Sequence, residues 1–322
     1  MSDVPDCSTG VAEINGDGIT DIVTYSRPTT RTIRLVAWNA NTHILDASDN
    51  VIPNPNTPVP YIIADRTFSS PQGGAGTSSY LYIGDIDGKV QTVGNKSYRV
   101  PEIAILIGEI TNANFAAIPT HPNVAGEIPS TLTSSTSFEG IIIGLSWDAT
   151  AANTTDAWKK SFVLEHSDRS QNTGFTMFDF DNDGMQEICY RDENTLRIIK
   201  ASTAYVPLSA TETTHPSVIL FSKAVNSYTG FEFPVIADID NDASAEMVVV
   251  GNNNGTGNYY GYLYALGTDG DKFAPALPVW NQAMYDPFKI DPYTLQTPTG
   301  LAPNRLDKKY YFTRLIKDAS CN

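Results

Sequence analysis

Basic residues are scarce in this chain. Over 322 residues, 21 Lys and Arg stand against 36 Asp and Glu, a formal net charge of −15. No run of basic residues is longer than two, as at Lys308-Lys309, so the footprint that phosphate recognition needs is missing and a nucleic-acid partner is excluded. No apolar run approaches the roughly 20 residues of a membrane-spanning helix. The opening Met1-Ser2-Asp3-Val4-Pro5-Asp6 is acidic and polar and lacks the form of a secretory signal. Signals are removed from mature chains, so this says little about compartment.

Metal-binding and nucleophilic side chains are equally thin. The three cysteines, Cys7, Cys189 and Cys321, are odd in number and far apart, which fits neither a disulfide framework nor a zinc site. Cys189 sits among apolar neighbours in Glu187-Ile188-Cys189-Tyr190 and reads as a buried strand thiol. His43, His121, His166 and His215 lie in four separate segments with no second ligand at metal spacing, and read as surface or loop histidines. No Gly-Xaa-Ser-Xaa-Gly elbow is present. The glycine-rich stretch Gly251 to Gly257 joins two apolar runs and opens no helix, so it reads as a hairpin loop and not as a phosphate cradle.

What the chain does have is the palette of short strands and tight turns: 16 Tyr, 13 Phe, 23 Gly and 20 Pro, with Thr, Ser and Asn plentiful. Only 18% of residues are charged and 41% are hydrophobic, which is the balance of a folding chain and not of a disordered one. The expected class is all-β.

One phrase recurs. It reads Glu13-Ile14-Asn15-Gly16-Asp17-Gly18-Ile19-Thr20-Asp21, then Asp179-Phe180-Asp181-Asn182-Asp183-Gly184-Met185-Gln186-Glu187, then Asp238-Ile239-Asp240-Asn241-Asp242-Ala243-Ser244-Ala245-Glu246. A degenerate copy, Asp85-Ile86-Asp87-Gly88, breaks off into an insertion and resumes at Glu102. Apolar stretches of strand length enter and leave each copy, and a second strand follows: Thr32 to Trp38, Gly140 to Trp147, Thr195 to Lys200, Tyr260 to Leu266. Further strands are expected at Ser161 to Glu165 and Ser217 to Phe221. Three or four strands per unit, repeated radially, predict a β-propeller with units starting near residues 11, 80, 175 and 234.

Oxygen-bearing side chains occupy positions 1, 3, 5 and 9 of the three full copies. Alternate residues of a tight loop point at one centre, and Gly184 permits the turn that returns Glu187 to it. Hard oxygen ligands without His or Cys select Ca²⁺ over zinc or copper, and so many carboxylates favour it over Mg²⁺. An EF-hand is excluded because its twelfth position needs a bidentate Glu; here that position is Thr24, Tyr190 or Val249, inside a strand. A set of plain Asx-turns is the bland alternative for one copy and a poor one for three.

This pattern resembles the FG-GAP or VCBS repeat, the blade unit of integrin-α-like β-propellers, over at least four units from about Val11 to Ile290. The resemblance implies a loop between the first two strands of each blade, holding Ca²⁺ on one rim of the disc. Carried over by residue, three sites are Glu13, Asn15, Asp17 and Asp21; Asp179, Asp181, Asp183 and Glu187; and Asp238, Asp240, Asp242 and Glu246; the degenerate copy differs, its Asp85 and Asp87 having to draw Glu102 from beyond an insertion to make a fourth. Two departures stand out: Glu13 replaces the leading Asp, and Ala243 replaces the turn glycine. The segment Pro278 to Phe288, followed by Asp307 to Arg314, is similar to the end of FG-GAP regions in large surface proteins of Bacteroidetes. On that likeness the propeller is expected over 1–295, with 296–322 a strand or linker towards a following domain. Family propellers have about seven blades, and 322 residues fit four long ones or seven short ones.

The functional expectation is a calcium-stabilised, non-catalytic propeller, extracellular or at the cell surface. It would work as a monomer or as part of a larger chain, binding a protein or glycan ligand. A polysaccharide lyase and a lectin are the alternatives. Candidate contact aromatics are Trp147, Trp158, Tyr259, Tyr260 and Trp280, each of which also suits core packing.

Overall fold

The computed structural model describes residues 7–15, 21–29, 32–39, 43–45, 51–53, 62–69, 81–93, 96–99, 101–133, 139–166, 174–192, 194–201, 203–208, 218–226, 233–252, 261–270 and 273–276. Within them the chain is all-β, in four successive sheets. The first runs β1 (Cys7–Ala12), β2 (Asp21–Thr29), β3 (Thr32–Asn39) and β6 (Ile62–Ser69), all antiparallel neighbours, with a side ribbon of β4 (His43–Leu45) and β5 (Val51–Pro53). Pro28 falls where the β2–β3 register shifts, between Ser26 and Thr29, a place in a central strand where a missing N–H is tolerated.

The second sheet follows the order β7 (Tyr82–Gly84), β10 (Glu102–Ile110), β11 (Glu139–Trp147), β12 (Trp158–His166) and β16 (Tyr205–Pro207). Its ribbon β8 (Val90–Val93) and β9 (Lys96–Arg99) lies inside the insertion between Asp87 and Glu102. The third sheet is β13 (Phe175–Phe178), β14 (Glu187–Arg191), β15 (Thr195–Ile199) and β17 (Ile219–Ala224). The fourth is β18 (Val235–Ala237), β19 (Glu246–Asn252) and β20 (Gly261–Leu266). One strand changes partners: β16 leaves the third sheet's own run of chain and pairs in parallel with β12, so the second and third sheets are interlocked. A short helix, α1 (Asn112–Ala116), capped by the Thr111 hydroxyl, opens the connection between β10 and β11.

The sheets stack face on face in chain order. Tyr25, Leu35 and Phe68 of the first meet Ile83, Ile105 and Ile143 of the second. From the opposite face of the second, Leu106, Ile142 and Leu164 meet Phe175, Ile188 and Tyr190 of the third. Phe180, Cys189 and Ile198 then meet Ile236, Met247 and Val249 of the fourth. Burial on both faces explains why β10 and β11 read as continuous apolar runs without alternation. The first strands form their own row: β1 lies against β7, β7 against β13, and β13 against β18. Among the described residues the fourth sheet is the last in this row, and its outer side carries Val235, Val248, Val250, Leu263 and Ala265, with Leu263 72% exposed. The described residues thus form an all-β fold of stacked sheets, antiparallel throughout except where β16 joins β12.

Cys189 is a free, buried thiol, its pKa raised by desolvation, as its apolar neighbours imply. His121 and His166 are buried, against the expectation of surface histidines. His121 Nδ1 accepts from Asn123 N–H, and His166 Nδ1 lies 3.2 Å from the Tyr190 hydroxyl. Trp158 is fully buried and Trp147 packs against the same core; Tyr259, Tyr260 and Trp280 lie outside the described residues, as does the stretch 296–322.

Candidate metal centre

Each recurring phrase sits between the first two strands of its sheet, and the ladder register repeats around it. The ninth-position acid opens the second strand and pairs with the residue just before the first-position acid: Asp21 with Ala12, Glu102 with Gly84, Glu187 with Phe178, Glu246 with Ala237. The same acid accepts the N–H of the second loop residue in all four copies. Asp21 Oδ2 takes Ile14 N–H at 3.0 Å, Glu102 Oε2 takes Ile86 at 2.8 Å, Glu187 Oε2 takes Phe180 at 2.7 Å, and Glu246 Oε2 takes Ile239 at 2.9 Å. Glu102 therefore occupies the slot of Glu187 and Glu246 although the insertion containing β8 and β9 separates it from Asp87.

The first-position acids tighten the loops from the other side. Asp179 accepts from Asp183 N–H and Gly184 N–H, both at 3.0 Å; Asp238 accepts from Asn241 at 2.7 Å and Ala243 at 3.1 Å; Asp85 accepts from Gly88 at 2.8 Å. Wrapping the chain around one carboxylate forces left-handed backbone at Asn182 and Gly184, and in the fourth loop at Asn241 and Ala243, with φ 72° at the alanine. An alanine held there costs about 1 kcal/mol relative to glycine. Ala243→Gly is expected to stabilise the protein by that amount, read as a raised denaturation midpoint at unchanged m value.

Three carboxylate triads result, each with ligand oxygens within 4.8 Å of one another: Asp85, Asp87 and Glu102; Asp179, Asp181 and Glu187; Asp238, Asp240 and Glu246. In each, the first and ninth positions are buried. The fifth-position acids stand apart from the triads. Asp183 Oδ1 accepts Met185 N–H at 2.9 Å, and Asp242 Oδ1 accepts Ser244 N–H at 2.7 Å. In the first loop Glu13, Asn15 and Asp21 are buried, and Asp17 lies outside the described residues.

Gathering carboxylates away from water raises their pKa values. Burial first, and the neighbouring acids second, push Glu187 to about 9; burial and the same neighbours push Asp179 to about 6. Burial likewise takes Asp87 to about 6 and Glu102 well above the carboxylate range, and Glu246 is raised for the same reason. Such groups are poised to exchange protons for a cation. An all-oxygen donor set at this spacing fits a hard divalent ion such as Ca²⁺.

Sequence reasoning missed the cations beside these loops. Arg99, at the end of β9, pairs with Asp85 and also reaches the Gly184 carbonyl of the next loop at 3.3 Å. Lys200 pairs with Asp181 and, at 3.0 Å, with Asp183. The second and third loops are further joined by Gln186 N–H donating to the Asp85 carbonyl at 2.7 Å. No motif signals such contacts, because they depend on which sheets stack.

The sequence matches no protein-family profile and no curated protein. Membership of the FG-GAP family is therefore not shown, and the likeness rests on the loops themselves. Among solved structures, the V. cholerae biofilm matrix protein Bap1 is similar at 13% identity with a TM-score of 0.38, over 98% of this chain and 51% of that one. This chain thus spans about half the length of that protein, and at that score the likeness shows neither a shared fold nor a shared function.

Proposed function

We propose that this chain is a calcium-stabilised β-propeller module of the integrin-α-like type, working outside the cell to bind a protein or glycan ligand. The observation that carries the reading is the repetition of one carboxylate triad, in one register, between the first two strands of three successive sheets. The row of first strands supports a radial arrangement of the sheets as blades. The aliphatic outer face of the fourth sheet suits packing by a further blade.

In this reading calcium is structural. Asp85, Asp87 and Glu102, then Asp179, Asp181, Asp183 and Glu187, then Asp238, Asp240, Asp242 and Glu246 would hold the ions, and Glu13, Asn15, Asp17 and Asp21 would form a fourth site. The bound charge would offset repulsion within each loop and fix the first two strands of each blade. Millimolar calcium outside cells saturates even weak loops of this kind, whereas cytosolic calcium leaves them empty. Ligand binding is assigned to connections and sheet edges away from these loops, whose first- and ninth-position acids turn inward.

Thermal melting with calcium, magnesium or EDTA tests the structural role. A site at a hundredfold excess of calcium over its Kd contributes about 2.7 kcal/mol, and each kcal/mol moves the melting temperature by roughly 2 °C or more in a chain of this order. Calcium is expected to raise the melting temperature by about 5 °C or more over EDTA, with magnesium well below it. Superimposable curves in calcium and EDTA would refute the reading.

A further inference from the structure

We infer that the residue facing the ninth-position acid across the sheet tunes each loop's ion, and that Lys200 is a built-in competitor for the third. The inference rests on reading the loops as calcium sites. Ladder register identifies the position. Asp21 pairs directly with Asn39. One residue beyond the pairs Ile103 with Leu145, Ile188 with Ile199 and Met247 with Leu266, the acids Glu102, Glu187 and Glu246 come opposite Ser146, Lys200 and Gly267. Four equivalent positions thus carry an amide, a hydroxyl, an ammonium and no side chain.

What each of these does locally follows from its chemistry. Ser146 Oγ donates to Glu102 Oε1 at 2.9 Å. Lys200 swings its ammonium onto the loop, pairing with Asp181 and lying 3.0 Å from Asp183 Oδ2. Its side chain is 20% exposed and the two acids about a third, so the charge is partly shielded from water and salt. The fourth loop has the same acids at the same four positions, and among the described residues no ion pair reaches it. Gly267 leaves the place open: a Cβ added there would lie 3.5 Å from Glu246 Oε1, so a side chain at this residue would be carried towards the acids.

A tethered cation acts on a divalent ion in two ways. It repels the ion directly, and it satisfies carboxylates that the ion would otherwise relieve. Lys200 therefore holds the third loop together when calcium is low and weakens its calcium affinity. The fourth loop, with identical acids and no paired cation among the described residues, gains the most from calcium and binds it more tightly. The facing residue thus grades the loops over a range of calcium concentration.

Calorimetric calcium titration of the parent, Lys200→Met, Lys200→Gln and Gly267→Lys tests this. Both Lys200 variants are expected to tighten one class of sites by about tenfold, and Gly267→Lys to weaken another by about tenfold. In EDTA the Lys200 variants are expected to melt below the parent and in calcium to regain its melting temperature, a pattern that lost packing alone would not produce. Unchanged or weaker calcium binding in both Lys200 variants, with the parent binding normally, overturns the inference alone. A parent that takes up no calcium overturns the calcium reading and this inference with it.

Discussion

Stripped of metal, the protein is expected to lose stability steadily as the pH rises from about 5 to about 9, and calcium is expected to abolish that loss. The cause lies in the third loop, where burial and the neighbouring acids raise Glu187 to about 9 and Asp179 to about 6. In the second loop Asp87 is raised to about 6 and Glu102 well above its usual range. An unfolded carboxyl titrates near 4. Between that value and its raised folded value, the folded state holds more protons than the unfolded one, so stability falls with increasing pH. The contribution is whole below about pH 4 and is lost as pH passes first about 6 and then about 9. A bound divalent ion replaces the protons and leaves little to titrate. Melting temperatures across pH 5 to 9 in EDTA are expected to drop by at least several degrees, against a nearly flat profile in calcium. A metal-free profile that rises towards neutral pH would show that these acids are not held as described.

Arg197→Met is expected to cost about 3–5 kcal/mol, the penalty for stranding a buried charge. Arg197 on β15 and Asp192, just after β14, form an ion pair with side chains only 1% and 3% exposed. Asp192 also accepts Asn194 N–H at 2.8 Å and Thr195 N–H at 2.7 Å, shaping the turn that makes β14 and β15 a hairpin. That hairpin carries Glu187 at its far end, so the pair supports the third loop through the backbone. Without the guanidinium, the Asp192 carboxylate stays buried with only backbone donors. Chemical denaturation in calcium measures the loss. Adding Asp192→Asn, which retains an acceptor for the turn, is expected to recover more than half of it. A double variant as unstable as the sum of the single changes would contradict this account of the pair.

The sequence disclosed the loops because their chemistry is local. Asp179, Asp181 and Glu187 converge through turns that a short phrase encodes, and Asp238, Asp240 and Glu246 do so with Ala243 in place of glycine. The flanking strands were equally legible, since β3, β11, β12, β15 and β20 carry the β-branched and aromatic residues that pack on pleated surfaces. Glu102 could be proposed as the partner of Asp85 and Asp87, but its register could not, because β8 and β9 bring it back from within an insertion. The transfer of β16 to the second sheet left no local trace, since a three-residue edge strand has too little pattern. Arg99 and Lys200 were silent for a different reason: a basic residue near a strand end looks the same whether it meets solvent or a neighbouring loop. His166 looked like a loop residue because its partner, Tyr190, is supplied by a neighbouring sheet.

The most direct test of the central claim is the number of calcium ions the folded chain binds, measured by equilibrium dialysis with elemental analysis on the parent and on a Glu187→Gln, Asp179→Asn double variant. Three or four ions per parent chain are expected, and one fewer in the variant, with the remaining sites unchanged. A parent chain that retains no calcium at millimolar free concentration, or a variant that retains the parent's full number, would contradict that claim.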